Sequence, residues 1–288
     1  MRAQVINHGD VTQDSRFPER NPENPMYAHR LLAEGDSWFT LGAVPSSNIL
    51  FNIETSKRAA LVTIAFPGDT IIRMGDPAHM LQLRRFLVDP RFLFKWDTIL
   101  LSGGGNDLIS VADALLPKLG ITSTSASDYV DAGEMQKLIG EIQRAYENIV
   151  DLRDEAGSPN TGVPIVVHTY DYPTPRDSPA RFLGLGIKGP WLYPALMAAE
   201  IPTPMWQPVC DLLLDQVAEA IRALDSDRQA SGSGHPPLPN FHVVDTRNTL
   251  DRASLGAISF SGDWANEIHP NTTGYSKLGA KISAQVNL

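Results

Sequence analysis

The chain has one cysteine, Cys210, in 288 residues. No internal disulfide can staple it, and a cysteine-built zinc finger is excluded. Nowhere do 18 apolar residues run together, and the N-terminal stretch MRAQVINHGDVTQDSRFPERNPENP has no apolar segment of the kind a signal peptide carries. No membrane span or leader is read, and the cytoplasm is the expected compartment. Basic residues are also scarce: 24 Lys and Arg against 33 Asp and Glu leave a net charge of −9. With no basic stripe in the sequence, docking on nucleic acid or an anionic membrane is not expected. What is present is an ordinary globular balance, 42% hydrophobic and 20% charged, in a chain long enough to bury a core without metals.

Five short segments rich in Ile, Val and Leu recur along the chain, at residues 30–34, 60–66, 98–101, 164–168 and 241–245. Most are continuous apolar runs, the pattern of strands buried on both faces of a parallel sheet. Helical stretches lie between them. One is predicted over 131–155, where Leu138, Ile142, Ile149 and Leu152 share a face, and another over 206–224 through Val209, Leu213, Val217 and Ile221. This alternation predicts a layered α/β domain over 29–288 with a five-stranded parallel sheet. Residues 1–28, with Pro18, Pro22 and Pro25 among polar neighbours, are expected to form an extended or disordered arm. Residues 171–208 hold eight prolines together with Tyr172, Phe182, Trp191, Tyr193 and Trp206. That is too apolar for a solvated linker and reads as an ordered excursion over the active face. The glycines Gly184, Gly186 and Gly189 match a dinucleotide-binding spacing, but no strand is read before them, Pro190 follows and they lie in the Pro-rich excursion, so they are read as a decoy.

The strand ends carry the chemistry. The first is followed by Gly35-Asp36-Ser37, the second by Phe66-Pro67-Gly68-Asp69 and the third by Gly103-Gly104-Gly105-Asn106-Asp107. In an open parallel sheet the carboxyl ends of the strands line the ligand crevice, so a serine, a glycine amide and an asparagine amide should converge there. His269, ahead of the last helical stretch, can join them as the base that makes Ser37 a nucleophile.

These four blocks, in this order, resemble the SGNH hydrolases, the GDSL family of esterases and lipases. The resemblance spans roughly residues 30–285. It implies a three-layer α/β/α, flavodoxin-like fold, no cofactor and no metal, and hydrolysis of carboxylic esters of lipids, carbohydrates or small alcohols through an acyl-Ser37 intermediate. It also assigns the oxyanion donors: the backbone N–H groups of Ser37 and Gly68 and the side-chain amide of Asn106.

The sequence departs from the family pattern three residues before the histidine, where the usual acid is replaced by Asn266. Three groups are then open as the orienter of His269: Asn266, Asp263 and Glu267, with Asn266 favoured and Asp263 next. The uncharged residue also motivates a second reading, a catalytically silent carbohydrate- or lipid-binding protein. A metal-dependent phosphoesterase built from Asp36, Asn106 and His269 ranks last, lacking the further ligands of a two-metal site.

Overall fold

In the computed structural model, the described residues are 1–40, 47–89, 94–182, 186–228 and 235–286. Eight strands form within them: β1 (Gln4–Asn7), β2 (His29–Gly35), β3 (Ala59–Thr63), β4 (Thr98–Ser102), β5 (Ile165–His168), β6 (Ala180–Phe182), β7 (Gly186–Lys188) and β8 (Phe241–Val244). Six of them make one sheet in the order β1-β3-β2-β4-β5-β8, every neighbouring pair parallel. All residues of β4 and β5 are buried, which a sheet achieves only when helices cover both faces. The fold is thus the layered α/β class that the apolar runs indicated.

The sheet has six strands rather than the expected five. The additional one, β1, comes from the N-terminal arm and pairs in parallel with β3, Gln4 opposite Ala60 through Asn7 opposite Thr63. Only Val5 and Ile6 of its four residues are apolar, too few to register as a run. It forms because the outer edge of β3 would otherwise present unpaired N–H and C=O groups.

The helices are α1 (Ser37–Thr40), α2 (Ile71–Met74), α3 (Leu81–Leu87), α4 (Gly105–Ser110), α5 (Ala112–Leu115), α6 (Ala132–Arg153), α7 (Leu192–Ala198), α8 (Thr203–Arg222) and α9 (Thr272–Ser283). The long α6 begins where the Asp131 side chain accepts the N–H groups of Gly133 and Glu134, an acceptor for two of the four donors a helix start leaves unpaired. Its stripe of Leu138, Ile142, Ile149 and Leu152 is buried, as is that of α8 through Val209, Leu213, Val217 and Ile221. Residues 171–208 are ordered around the undescribed 183–185: the antiparallel β6–β7 hairpin, α7 and the first turns of α8. A short strand, β6, does precede the glycine motif, contrary to the sequence reading, but it pairs antiparallel with β7, which Gly186 opens, and so is no part of a parallel crossover; Gly184 lies outside the described residues. Among the described residues, no helix is long and apolar enough to cross a membrane.

This strand order places the site. The chain runs from β2 outward to β3, then crosses back over β2 to β4. The carboxyl ends of β2 and β4 therefore flank the point where the winding reverses, the position at which open α/β sheets leave a crevice. Ser37 follows β2 and Asn106 follows β4.

Candidate active site

At the end of β2 the backbone turns tightly into α1. A Cβ on Gly35 would lie 2.7 Å from that of Ser102 on β4, so only glycine lets the strands approach here. Asp36 holds the turn from beneath. Its Oδ1 accepts the Trp38 N–H at 2.9 Å and the Ser102 hydroxyl at 2.9 Å, and its Oδ2 accepts the Tyr170 hydroxyl. Burial pushes the Asp36 carboxyl up to about 6, against these hydrogen bonds, which favour the ionised form. Three of its roughly four acceptor sites are taken by the protein, which weighs against its service as a metal ligand. His168, at the end of β5, extends this network: Nε2 lies 2.9 Å from Ser102 Oγ, and Nδ1 donates to the Thr169 carbonyl at 2.6 Å. Its ring is buried and stacks on Trp38 with an interplanar angle of 11°.

His269 stands opposite Ser37 on the loop that leads to α9. Nε2 is 2.9 Å from Ser37 Oγ, and Nδ1 is 3.0 Å from Oδ1 of Asn266. That same oxygen accepts the backbone N–H of Ile268 at 3.1 Å and of His269 at 2.9 Å. The Asn side chain closes a local turn, a habit of Asx residues, and in doing so carries its oxygen under the imidazole. Burial lowers the His269 pKa to about 4, so the ring is neutral at pH 7. Trp38 ties the two halves together, its indole N–H donating to the Ile268 carbonyl at 3.1 Å.

Asn106, at the start of α4, donates one amide hydrogen to the Asp69 carbonyl at 2.9 Å. This fixes the side chain and leaves the second hydrogen of the same NH₂ group available. Gly68 lies one residue before Asp69, in an exposed turn at φ +83°, a conformation that favours glycine. Asp107 does a structural job between these loops: its carboxylate accepts the N–H groups of Ile71, Ile72 and Gly104.

The structure thus brings Ser37, His269 and Asn266 into one chain of hydrogen bonds. It does not bring in the two carboxylates considered as alternatives. Asp263 faces away, accepting Lys277 Nζ at 2.6 Å and the Asp251 N–H at 2.7 Å. Glu267 is fully buried but points toward the excursion, where it accepts the backbone N–H groups of Arg176, Trp191, Leu192 and Tyr193. Three of those donors belong to the start of α7, so Glu267 caps that helix instead of orienting His269.

Sequence reasoning also missed Arg176. Its buried guanidinium donates to the carbonyls of Asn266 at 2.7 Å, Ala257 at 3.0 Å and Ser259. It braces the main chain at Asn266 from the excursion side. The one available signal was an arginine amid the apolar, Pro-rich residues of 171–208, where an unpaired charge could not be buried.

Comparison with protein-family models and with curated proteins finds no match. Solved structures do show similarity. An acetylxylan esterase from Geobacillus stearothermophilus is 12% identical, with 91% of this chain and 95% of that one covered at a TM-score of 0.43. A carbohydrate acetylesterase from Sinorhizobium meliloti is 12% identical, covering 90% and 98% at 0.41. An aryl esterase from M. smegmatis is 12% identical, covering 90% and 98% at 0.43.

Proposed function

We propose that the protein is a cofactor-free serine esterase. The observation that carries this reading is the single line of contacts from Ser37 Oγ to His269 Nε2 and from His269 Nδ1 to Asn266 Oδ1, at 2.9 and 3.0 Å. In the proposed reaction, Oγ attacks the ester carbonyl while Nε2 takes its proton. The C–O bond to the alcohol then breaks, and His269 returns the proton to the departing alkoxide oxygen. Water, deprotonated by the same nitrogen, attacks the acyl-serine, and Ser37 leaves with that proton, releasing the acid. The transient oxyanion is met by the N–H groups of Ser37 and Gly68 and by the second amide hydrogen of Asn106. Such a donor typically contributes about 10²- to 10³-fold to kcat.

The uncharged Asn266 fits this chemistry because of how its amide is held. In a serine protease triad, replacing Asp by Asn costs about 10⁴-fold, largely through the wrong imidazole tautomer. Here two backbone N–H groups already point at Oδ1. Flipping the amide would set its NH₂ group against both of them. The oxygen therefore faces His269, the imidazole proton sits on Nδ1, and the Nε2 lone pair is left for Ser37. The motive for a catalytically silent binding protein loses its force.

Ser37→Ala is expected to abolish hydrolysis of short p-nitrophenyl esters with the fold intact, since only a hydroxyl is removed. Activity retained above about a hundredth of wild type would sink the assignment, because nucleophilic serines matter by far more.

A further inference from the structure

Ser37 and Asn106 share a cavity whose wall is otherwise mostly apolar: Leu108 and Ile109 from α4, Leu192 from α7, Leu214 from α8, and Trp264. The cavity measures about 40 Å³. A water needs roughly 10–15 Å³ on this measure, so the space holds about three groups of that size. The carboxylates on its border are spent within the protein. Asp171 accepts the N–H groups of Tyr172, Asn248, Thr249 and Leu250, and Asp36 accepts three hydrogen bonds as described above. The cavity therefore favours an uncharged, apolar occupant.

Which half of an ester enters follows from what borders the space. Ser37, to which the acyl group is bonded in the intermediate, lines it; His269, which must reach the oxygen of the leaving alcohol, does not. The occupant is the acyl tail. Part of its wall is core: Leu108, Leu192, Leu214 and Trp264 are each at most 5% exposed, which gives this side of the space a fixed outline. Trp191 and Trp206, the tryptophans of the excursion, are used elsewhere. Trp191 packs edge-on against the His269 ring, and Trp206 packs on Tyr193 and donates to the Ile201 carbonyl.

We infer that the enzyme acts on esters of short-chain acids, with acyl groups of two to about four carbons, and that Leu192, Leu214 and Ile109 set this limit. The inference rests on the serine-esterase reading. It is tested with the full chain on p-nitrophenyl acetate, butyrate and octanoate. Wild type should favour acetate and butyrate over octanoate by about 10- to 10²-fold in kcat/KM, the strain of a chain that overfills a packed wall. Leu214→Ala and Leu192→Ala should raise the octanoate-to-acetate ratio roughly tenfold or more, and Ile109→Phe should lower butyrate relative to acetate. Ile109 is only half-buried, so its variant keeps the test alive if the leucine variants fail to fold. Octanoate turned over as well as acetate by wild type in a Ser37-dependent way would overturn the chain-length limit and leave the esterase standing. Variants that shift all three esters equally would overturn the wall assignment. No Ser37-dependent hydrolysis of any ester would overturn both readings.

Discussion

In the proposed mechanism Asn266, a neutral side chain, orients His269. Its oxygen accepts three hydrogen bonds within one short loop, and the two from the backbone make its orientation a property of the fold. The absence of a full negative charge has a consequence for pH. A buried imidazole favours its neutral form, and the His269 pKa is lowered to about 4. In the proposed mechanism neutral His269 is the base, so activity should be present above about pH 4 and lost as pH falls through it, whereas an unperturbed histidine would fail near about 6.5. Asn266→Ala should lower kcat/KM by about 10²-fold or more, since the ring loses both its orienter and its tautomer preference. Asn266→Asp should keep activity within about tenfold and move the acid limb of the pH profile upward, because a carboxylate stabilises the imidazolium. An unchanged rate in the alanine variant, or an unmoved limb in the aspartate variant, would show that the side chain does not orient His269.

At the scale of elements, the Pro-rich excursion is joined to the loop that carries His269 by Glu267 and Arg176, whose partners lie some 75 to 90 positions away along the chain. Glu267 serves the first turn of α7, a place where helix N–H groups and the helix dipole both favour an anion. Glu267→Ala should leave several buried donors unpaired at about 1–3 kcal/mol each, an expected loss of about 3 kcal/mol or more by urea denaturation, with Glu267→Gln in between. A change below about 0.5 kcal/mol, the range of an ordinary surface substitution, would remove Glu267 from this role. Such ties explain what the sequence could not reveal. Tyr172, Trp191, Tyr193 and Trp206 mark the segment as too apolar for a solvated linker, but no local pattern says that a glutamate two residues before a histidine turns toward a helix start. Strand β1 was hidden for the same reason: its stability comes from the edge of β3, not from its own four residues.

Over the whole molecule, the legible part is the part governed by local rules. Continuous apolar runs marked the buried parallel strands, and the loops after β2, β3 and β4 stood out because Gly, Asp, Ser and Asn cluster where strands end. The reversal of winding between β2 and β4 then gathers the loops that carry Ser37 and Asn106, and the segment between β8 and α9 brings His269, 232 positions from Ser37, to within 2.9 Å of it. The central claim is that this meeting activates Ser37, and a fluorophosphonate probe tests it most directly, since the probe phosphonylates serines made nucleophilic by a neighbouring base. With the intact protein at pH 7, peptide mapping should find the label on Ser37, with labelling abolished in Ser37→Ala and strongly slowed in His269→Ala. Unlabelled protein, or label on another serine with Ser37 unmodified, would contradict the account.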